Sequence, residues 1–234
     1  MQHVVTAPQI PTVPVHGADG AGFPVHRIYC VGRNYVEHAV EMGFTGREPP
    51  FFFLKPADAI VPIAEGSVGR MRYPSLTKDL HHEVELVVAI GTGGRAIKAA
   101  EAMQHVWGYA VGLDMTRRDL QGEAKKLGRP WDIGKAFEES APIGPLHRAA
   151  ECRIDENTAI TLTVNGAERQ KSRIGKLIWS IPEIIEHLSA GWDLQPGDLI
   201  FTGTPEGVAA VKAGDTLHAQ VDGVGSLQVE IVER

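Results

Sequence analysis

His81-His82-Glu83-Val84-Glu85-Leu86-Val87-Val88-Ala89-Ile90 is the stretch on which the reading of this chain turns. Val84, Leu86, Val88 and Ile90 alternate with Glu83, Glu85, Val87 and Ala89, the two-residue period of a strand. Glu83 and Glu85 then share one face, their Cα atoms roughly 7 Å apart at the strand rise. Side-by-side carboxylates repel, and a half-buried face holds them readily when a cation lies between them. An edge strand with a charged outer face fits the same pattern, and spacing alone leaves both readings open.

Downstream, Trp107-Gly108-Tyr109-Ala110-Val111-Gly112-Leu113-Asp114 alternates large and small residues. Its small face is Gly108, Ala110 and Gly112, which admits another backbone or a ligand, and Asp114 continues that face at the strand end. Three carboxylates with oxygen donors alone suit a hard cation, Mg²⁺ or Mn²⁺. No Cys/His spacing points to zinc.

Upstream, Arg27–Gly32 reads as a short strand. Asn34 and Glu37 have the spacing of a variant capping box, which opens a helix to about Met42 that stops at Gly43. His38 and Glu41 share a face of that helix. They are either a solvated ion pair or a carboxylate-oriented imidazole able to deprotonate water. The turn formers of 44–50 suit a tether for a lid. Phe51–Lys55 is a strand whose terminal lysine is expected to snorkel to solvent.

Ala96–His105 is expected to be helical. Thr116 and Asp119 form a second capping box, opening a helix through Lys126 that closes at Gly128 and carries Arg118 and Gln121 on one face. Lys135 follows in a loop or at a strand start. Ile160–Val164 followed by Asn165-Gly166 signals a hairpin, and Ser180 with Pro182 opens a short helix over 181–188. The Gly203–Gly207 loop lacks the Lys-Ser/Thr of a phosphate cradle, which excludes a P-loop.

Composition narrows the classes. The chain has 234 residues, 43% hydrophobic and 22% charged, which is globular composition. A formal charge of −6 with no basic run argues against nucleic acid. No segment approaches a membrane span, and the N-terminus lacks a secretory pattern. Cys30 and Cys152 read as free thiols, so the chain is expected in the cytoplasm. Residues 1–26, with four prolines, read as an extended arm, and 27–234 as a single domain.

Several blocks in order carry a resemblance: Gly32-Arg33-Asn34-Tyr35 with His38-Ala39-Val40-Glu41, Phe53-Leu54-Lys55-Pro56, His82-Glu83-Val84-Glu85-Leu86, Leu113-Asp114-Met115-Thr116-Arg117-Arg118-Asp119, Lys135-Ala136-Phe137, and Thr202-Gly203-Thr204-Pro205-Glu206-Gly207-Val208. Together they resemble the fumarylacetoacetate hydrolase superfamily, nearest its short acylpyruvases and bacterial fumarylpyruvate hydrolases. The chain departs from the longer fumarylacetoacetases, which add an N-terminal domain and a further carboxylate ligand near the lid.

The resemblance implies an α+β, mainly β fold, a mixed roll or barrel-like domain, and a homodimer acting on a small dioxo acid. It implies that Glu83, Glu85 and Asp114 bind Mg²⁺ or Mn²⁺, that His38 and Glu41 activate water, and that Lys135 steadies developing negative charge. Arg118, Gln121 and Thr204 match positions that touch substrate, with Arg33 and Lys55 as helpers. The implied reaction cleaves the C–C bond of an acylpyruvate, best fumarylpyruvate to fumarate and pyruvate in gentisate-type aromatic catabolism. Oxaloacetate decarboxylation, isomerisation of the 2-hydroxyhepta-2,4-diene-1,7-dioate type and non-catalytic keto-acid binding are the alternatives.

Overall fold

The alternation through residue 90 forms a strand over Val84–Ile90, and every residue of it is buried. The computed structural model describes residues 3–35 and 47–234. The longer strands in chain order are β1 (Ile28–Gly32), β2 (Phe51–Lys55), β3 (Ile60–Pro62), β4 (Val68–Arg72), β5 (Val84–Ile90), β6 (Val106–Leu113), β7 (Ala141–Ile143), β8 (Ala159–Val164), β9 (Ala167–Arg173), β10 (Leu199–Phe201), β11 (Thr216–Val221) and β12 (Gly225–Val232). The helices used below are α1 (Arg118–Lys126), α2 (Asp132–Lys135) and α3 (Ile181–Gly191). The architecture is α+β and mainly β, as expected.

An eight-stranded mixed sheet runs β2-β1-β10-β5-β6-β7-β3, with His147–Arg148 adding to β6. A five-stranded sheet runs β9-β8-β11-β12-β4. Strand β5 lies between β10 and β6, antiparallel to both. This corrects the edge-strand reading. Val84, Leu86, Val88 and Ile90 enter the larger core, with Tyr109, Val111 and Leu113 of β6 and residues of the second sheet. Val87 and Ala89 enter another core, with Cys30, Ala110 and Phe201. A strand covered on both faces has no solvated side, so the two glutamates at its start are buried along with it.

The small face of β6 is explained by packing. A Cβ on Gly108 would stand 2.1 Å from the carbonyl oxygen of His147, and one on Gly112 would press at 2.7 Å on Val87 and Phe201. Close approach of chain, not of ligand, requires these two glycines. At the β8–β9 turn, Asn165 (φ +52°) and Gly166 (φ +80°) give the left-handed pair that a two-residue hairpin needs.

Several local expectations change. Leu80–His81 is a separate short strand between Thr116–Arg117 and Ala210–Val211, so Thr116 is held in a sheet and does not cap α1. Asp119 turns instead to the Thr77 hydroxyl (2.6 Å) and the Lys78 amide (3.1 Å). Helix α1 still ends as expected, with Gly128 at φ +63° just beyond it. The helix expected over 96–105 is reduced to a 3₁₀ turn at Ala102–His105. Ala96 is left-handed (φ +49°), and the Ala96 and Ile97 amides donate to Ser189 of α3, which holds the segment in an irregular path. Lys135 closes α2 and does not lie in a loop or strand. Helix α3 carries the Ser180/Glu183 capping box.

Within the proline-rich N-terminal segment, Thr12–Pro14 pairs antiparallel with Gly22–Pro24, and Val13, Phe23 and Val25 are buried. No helix among the described residues is long and apolar enough to cross a membrane.

Candidate active site

Pairing of β5 with β6 assembles the acidic centre. Val84 lies opposite Leu113 and Glu85 opposite Gly112, and the Asp114 amide donates to the Glu83 carbonyl at 2.9 Å. Glu83, Glu85 and Asp114 therefore gather at one end of the hairpin. Each offers a carboxylate oxygen, and the three oxygens lie within 4.8 Å of one another. All three residues are buried. The donor set, oxygen alone and anionic, fits a hard divalent cation. Asp114 Oδ1 supports the fit, because it makes an ion pair with Lys55 but no aligned hydrogen bond.

Burial, reinforced by the Asp114 and Glu83 charges, pushes the Glu85 carboxyl well above the usual carboxylate range. The Gly203 amide, donating to Glu85 Oε2 at 2.7 Å, offsets this only in part.

Three cations face the three carboxylates. Helix α2 delivers Lys135, whose Nζ donates to Glu83 Oε2 (2.8 Å) and Asp114 Oδ2 (2.6 Å). Its ammonium is raised in pKa: burial alone would lower it, but Asp114 and Glu83 outweigh that. Helix α2 can come so near because residue 134 is glycine; a Cβ there would lie 2.9 Å from the Gln121 backbone nitrogen. From α1, Arg118 donates to Glu83 and, at 2.6 Å, to Gln121 Oε1, as the shared helix face anticipates.

Lys55 overturns its expectation. It is buried, 2.9 Å from Asp114 Oδ1, and donates to the carbonyls of Met115 and Lys135. A lysine buried this deep needs anion and carbonyl partners, and Asp114 supplies the charge. Lys55 thus braces a carboxylate from beneath and is not among the residues lining the cavity.

Residues Arg33, Arg118, Gln121 and Thr204 line the small pocket over the carboxylates, together with Phe53, Trp131 and Lys135. Beside it lies a wider cleft of 530 Å³ that shares Arg33, Phe53, Trp131 and Lys135 and adds Phe51, Phe52 and Leu54. His38 and Glu41 lie outside the described residues. Asn34, expected as a cap, ties the chain before them to the glycine loop: its Nδ2 donates to Trp179 O (3.0 Å) and Thr202 O (2.8 Å), and its Oδ1 accepts from the Trp179 amide.

Sequence reasoning missed Gln170. Among the residues of β9 it is the buried one, and its amide fills four bonding positions. Oε1 takes the Val84 amide (3.1 Å) and lies 2.9 Å from His82 Nδ1, while Nε2 donates to Thr204 Oγ1 (2.8 Å) and Pro205 O (2.9 Å). It joins the residues flanking Glu83 to the loop that carries Thr204. Flanked by Arg169 and Lys171, a lone glutamine shows no local signal of this. Trp131, a wall of both cavities, likewise carries no local signal of that role.

The fumarylacetoacetate (FAA) hydrolase C-terminal family matches residues 27–232. The chain is 45% identical over 204 residues to the rat protein named oxaloacetate tautomerase FAHD1, mitochondrial, covering 87% of this chain and 90% of that one. It is 44% identical over 187 residues to a fumarylpyruvate hydrolase of Ralstonia sp, covering 79% and 93%. The crystal structure of fumarylpyruvate hydrolase from Pseudomonas aeruginosa in complex with Mn²⁺ and pyruvate superimposes with a TM-score of 0.96 at 55% identity, over 100% of both chains. On the family match, the ordered blocks and the shared fold, this chain belongs to the fumarylacetoacetate hydrolase family.

Proposed function

We propose that the protein is a metal-dependent hydrolase of an acylpyruvate, and that fumarylpyruvate, giving fumarate and pyruvate, is its substrate. The observation that carries the reading is the buried Glu83/Glu85/Asp114 cluster with Lys135 inserted between two of its members. The names of the Ralstonia and Pseudomonas relatives support it. Glu83, Glu85 and Asp114 would hold Mg²⁺ or Mn²⁺, which when bound supplies Lewis-acid polarisation of a chelating keto acid. Three carboxyl groups against Lys135, Lys55 and Arg118 leave no net negative charge before the ion enters, and a positive one while Glu85 keeps its proton. With the ion it carries surplus positive charge, suited to a carboxylate next to a carbonyl that becomes an enolate.

The chain's own groups divide the remaining work. Arg118, Gln121 and Thr204 line the pocket where the keto-acid end binds. His38, oriented by Glu41, takes a proton from water, and the hydroxide adds to the distal acyl carbonyl. The bond between that carbon and the pyruvyl methylene breaks, its electron pair passing to pyruvate as enolate, which is then protonated at carbon. Lys135 steadies the enolate charge. Residues 27–234 act as one catalytic domain preceded by the arm 1–26, in a cytoplasmic homodimer of a gentisate-type aromatic catabolic route.

The test follows fumarylpyruvate absorbance with purified protein, with Mg²⁺ or Mn²⁺ and after chelation, and identifies the products. Metal-dependent appearance of fumarate and pyruvate is expected. No substrate loss would overturn the hydrolase reading. The name of the rat relative favours a second reading, tautomerisation of oxaloacetate. That reaction consumes no water, so it predicts enol-to-keto conversion with no cleavage product.

A further inference from the structure

Resting on the proposed hydrolase reading, we infer that the 530 Å³ aromatic cleft is the acyl subsite, and that Lys125, with Arg33, selects acyl groups that end in a carboxylate.

The pocket over the carboxylates has only about 30 Å³, room for one or two waters. A dioxo acid held there by its keto-acid end must extend its acyl arm elsewhere. The cleft adjoins the pocket, with which it shares Arg33, Phe53, Trp131 and Lys135 as walls. Its walls suit a flat, conjugated chain. Trp131 stands 5.8 Å from Phe53 and 5.2 Å from Phe51 between ring centroids.

Charge at the mouth says how that chain ends. Arg118, Gln121 and Lys125 recur at i, i+3 and i+7, so Lys125 continues the face of α1 that meets the site. Its Nζ lies 5.9 Å from the centroid of Trp131, a residue that lines the cleft. Arg33, which lines the cleft, is half-buried, left-handed (φ +57°), and set 5.3 Å over the Phe51 ring. Burial, and then the charges of Arg33 and Arg118, lower the pKa of the Lys125 ammonium. Like charges held near one another raise the local potential and favour the binding of an anion. Asp132, which lines the cleft, and Glu48, whose charge bears on Arg33, oppose this. Both are exposed, so solvent screens them more than the half-buried cations.

The experiment compares fumarylpyruvate with acetylpyruvate, whose acyl end is a neutral methyl, in the Mn²⁺-loaded wild type, Lys125→Met, Lys125→Arg and Arg33→Met. In Lys125→Met, kcat/KM for fumarylpyruvate should fall roughly tenfold more than for acetylpyruvate, mostly through KM. Lys125→Arg should restore most of the preference, and Arg33→Met should shift it the same way. Equal losses for both substrates would overturn the inference. So would a change of mass by light scattering in these variants, which would make the cleft a contact between copies of the chain. Calorimetric binding of fumarate separates the two claims. If the wild type turns over neither substrate, the hydrolase reading falls. The subsite then stands if Lys125→Met binds fumarate roughly tenfold more weakly, and falls if the affinities are equal.

Discussion

The ammonium of Lys135 lies 2.6 Å from Oδ2 of Asp114, and both side chains are almost wholly buried. Its other contact, 2.8 Å from Glu83 Oε2, makes it the internal counter-ion of the acidic centre. Removing one member of a buried ion pair leaves its partner charged and dry, which costs about 3–5 kcal/mol. Lys135→Met should therefore lower the stability of the metal-free protein by about that amount. Mn²⁺ should recover much of the loss, because the ion replaces the missing charge. Urea melts with and without Mn²⁺ check this; a loss of the same size in both would show that the lysine and the metal do not share the carboxylates.

Metal binding should depend on pH through Glu85. Burial, then Asp114 and Glu83, raise its folded pKa above the unfolded value of about 4.3. In the metal-free protein the unfolded chain loses this proton first, so stability falls as pH rises from about 4.3 toward the folded value. A cation favours the carboxylate and must displace the proton, so affinity rises with pH over the same window. The melting shift caused by Mn²⁺ should be larger at pH 8 than at pH 5.5. Glu85→Gln should raise the melting temperature of the metal-free protein and abolish the Mn²⁺ shift. A shift independent of pH would contradict this account.

Gln170 touches no carboxylate, yet it holds the chain on either side of one. Gln170→Ala leaves the Val84 amide and the Thr204 hydroxyl without their partner in a buried setting, a loss of about 1–3 kcal/mol. Because those groups frame Glu83 and the Thr204 loop, Mn²⁺ affinity should fall about 10–100-fold as well. Calorimetric titration of Mn²⁺ distinguishes this from a purely structural role, which would lower stability and leave affinity unchanged.

A second pH effect lies far from the metal. His16 stacks on His147 with ring centroids 4.1 Å apart, joining the N-terminal hairpin to the main sheet. Burial, and then the His16 charge, lower the pKa of His147, against the opposing pull of Glu65 and Glu151. Below about pH 6.5 the unfolded chain takes up a proton that folded His147 resists, so stability is lost as pH falls through that window. His147→Phe keeps a ring for stacking and should flatten that part of the profile. Urea midpoints at pH 7.5 and 5.5 measure it; an unaltered slope in the variant would assign the effect to other groups.

Features that depend on neighbours along the chain were legible in the amino-acid order. The two-residue alternation over 84–90 placed Glu83 and Glu85 on one side, and Asn165-Gly166, Gly128 and Ser180 marked a turn, a helix end and a helix start. Such signals are local, because periodicity and backbone conformation are properties of a few consecutive residues. The ordered motif blocks also pointed to the family and to the three carboxylates, which the β5–β6 pairing brings together. What covers each face depends on long-range packing. An alternating strand is written the same way whether its second face meets water or a core, and here it meets a core. Burial of charge is decided at that level too. Lys55 looked bound for solvent because its neighbours in sequence offer no anion; Asp114, 59 positions away, does. Gln170 is polar among polar residues until β9 folds over the start of β5. A side chain's partners are set by long-range packing, and the free energy of a buried polar group depends on those partners more than on its own chemistry.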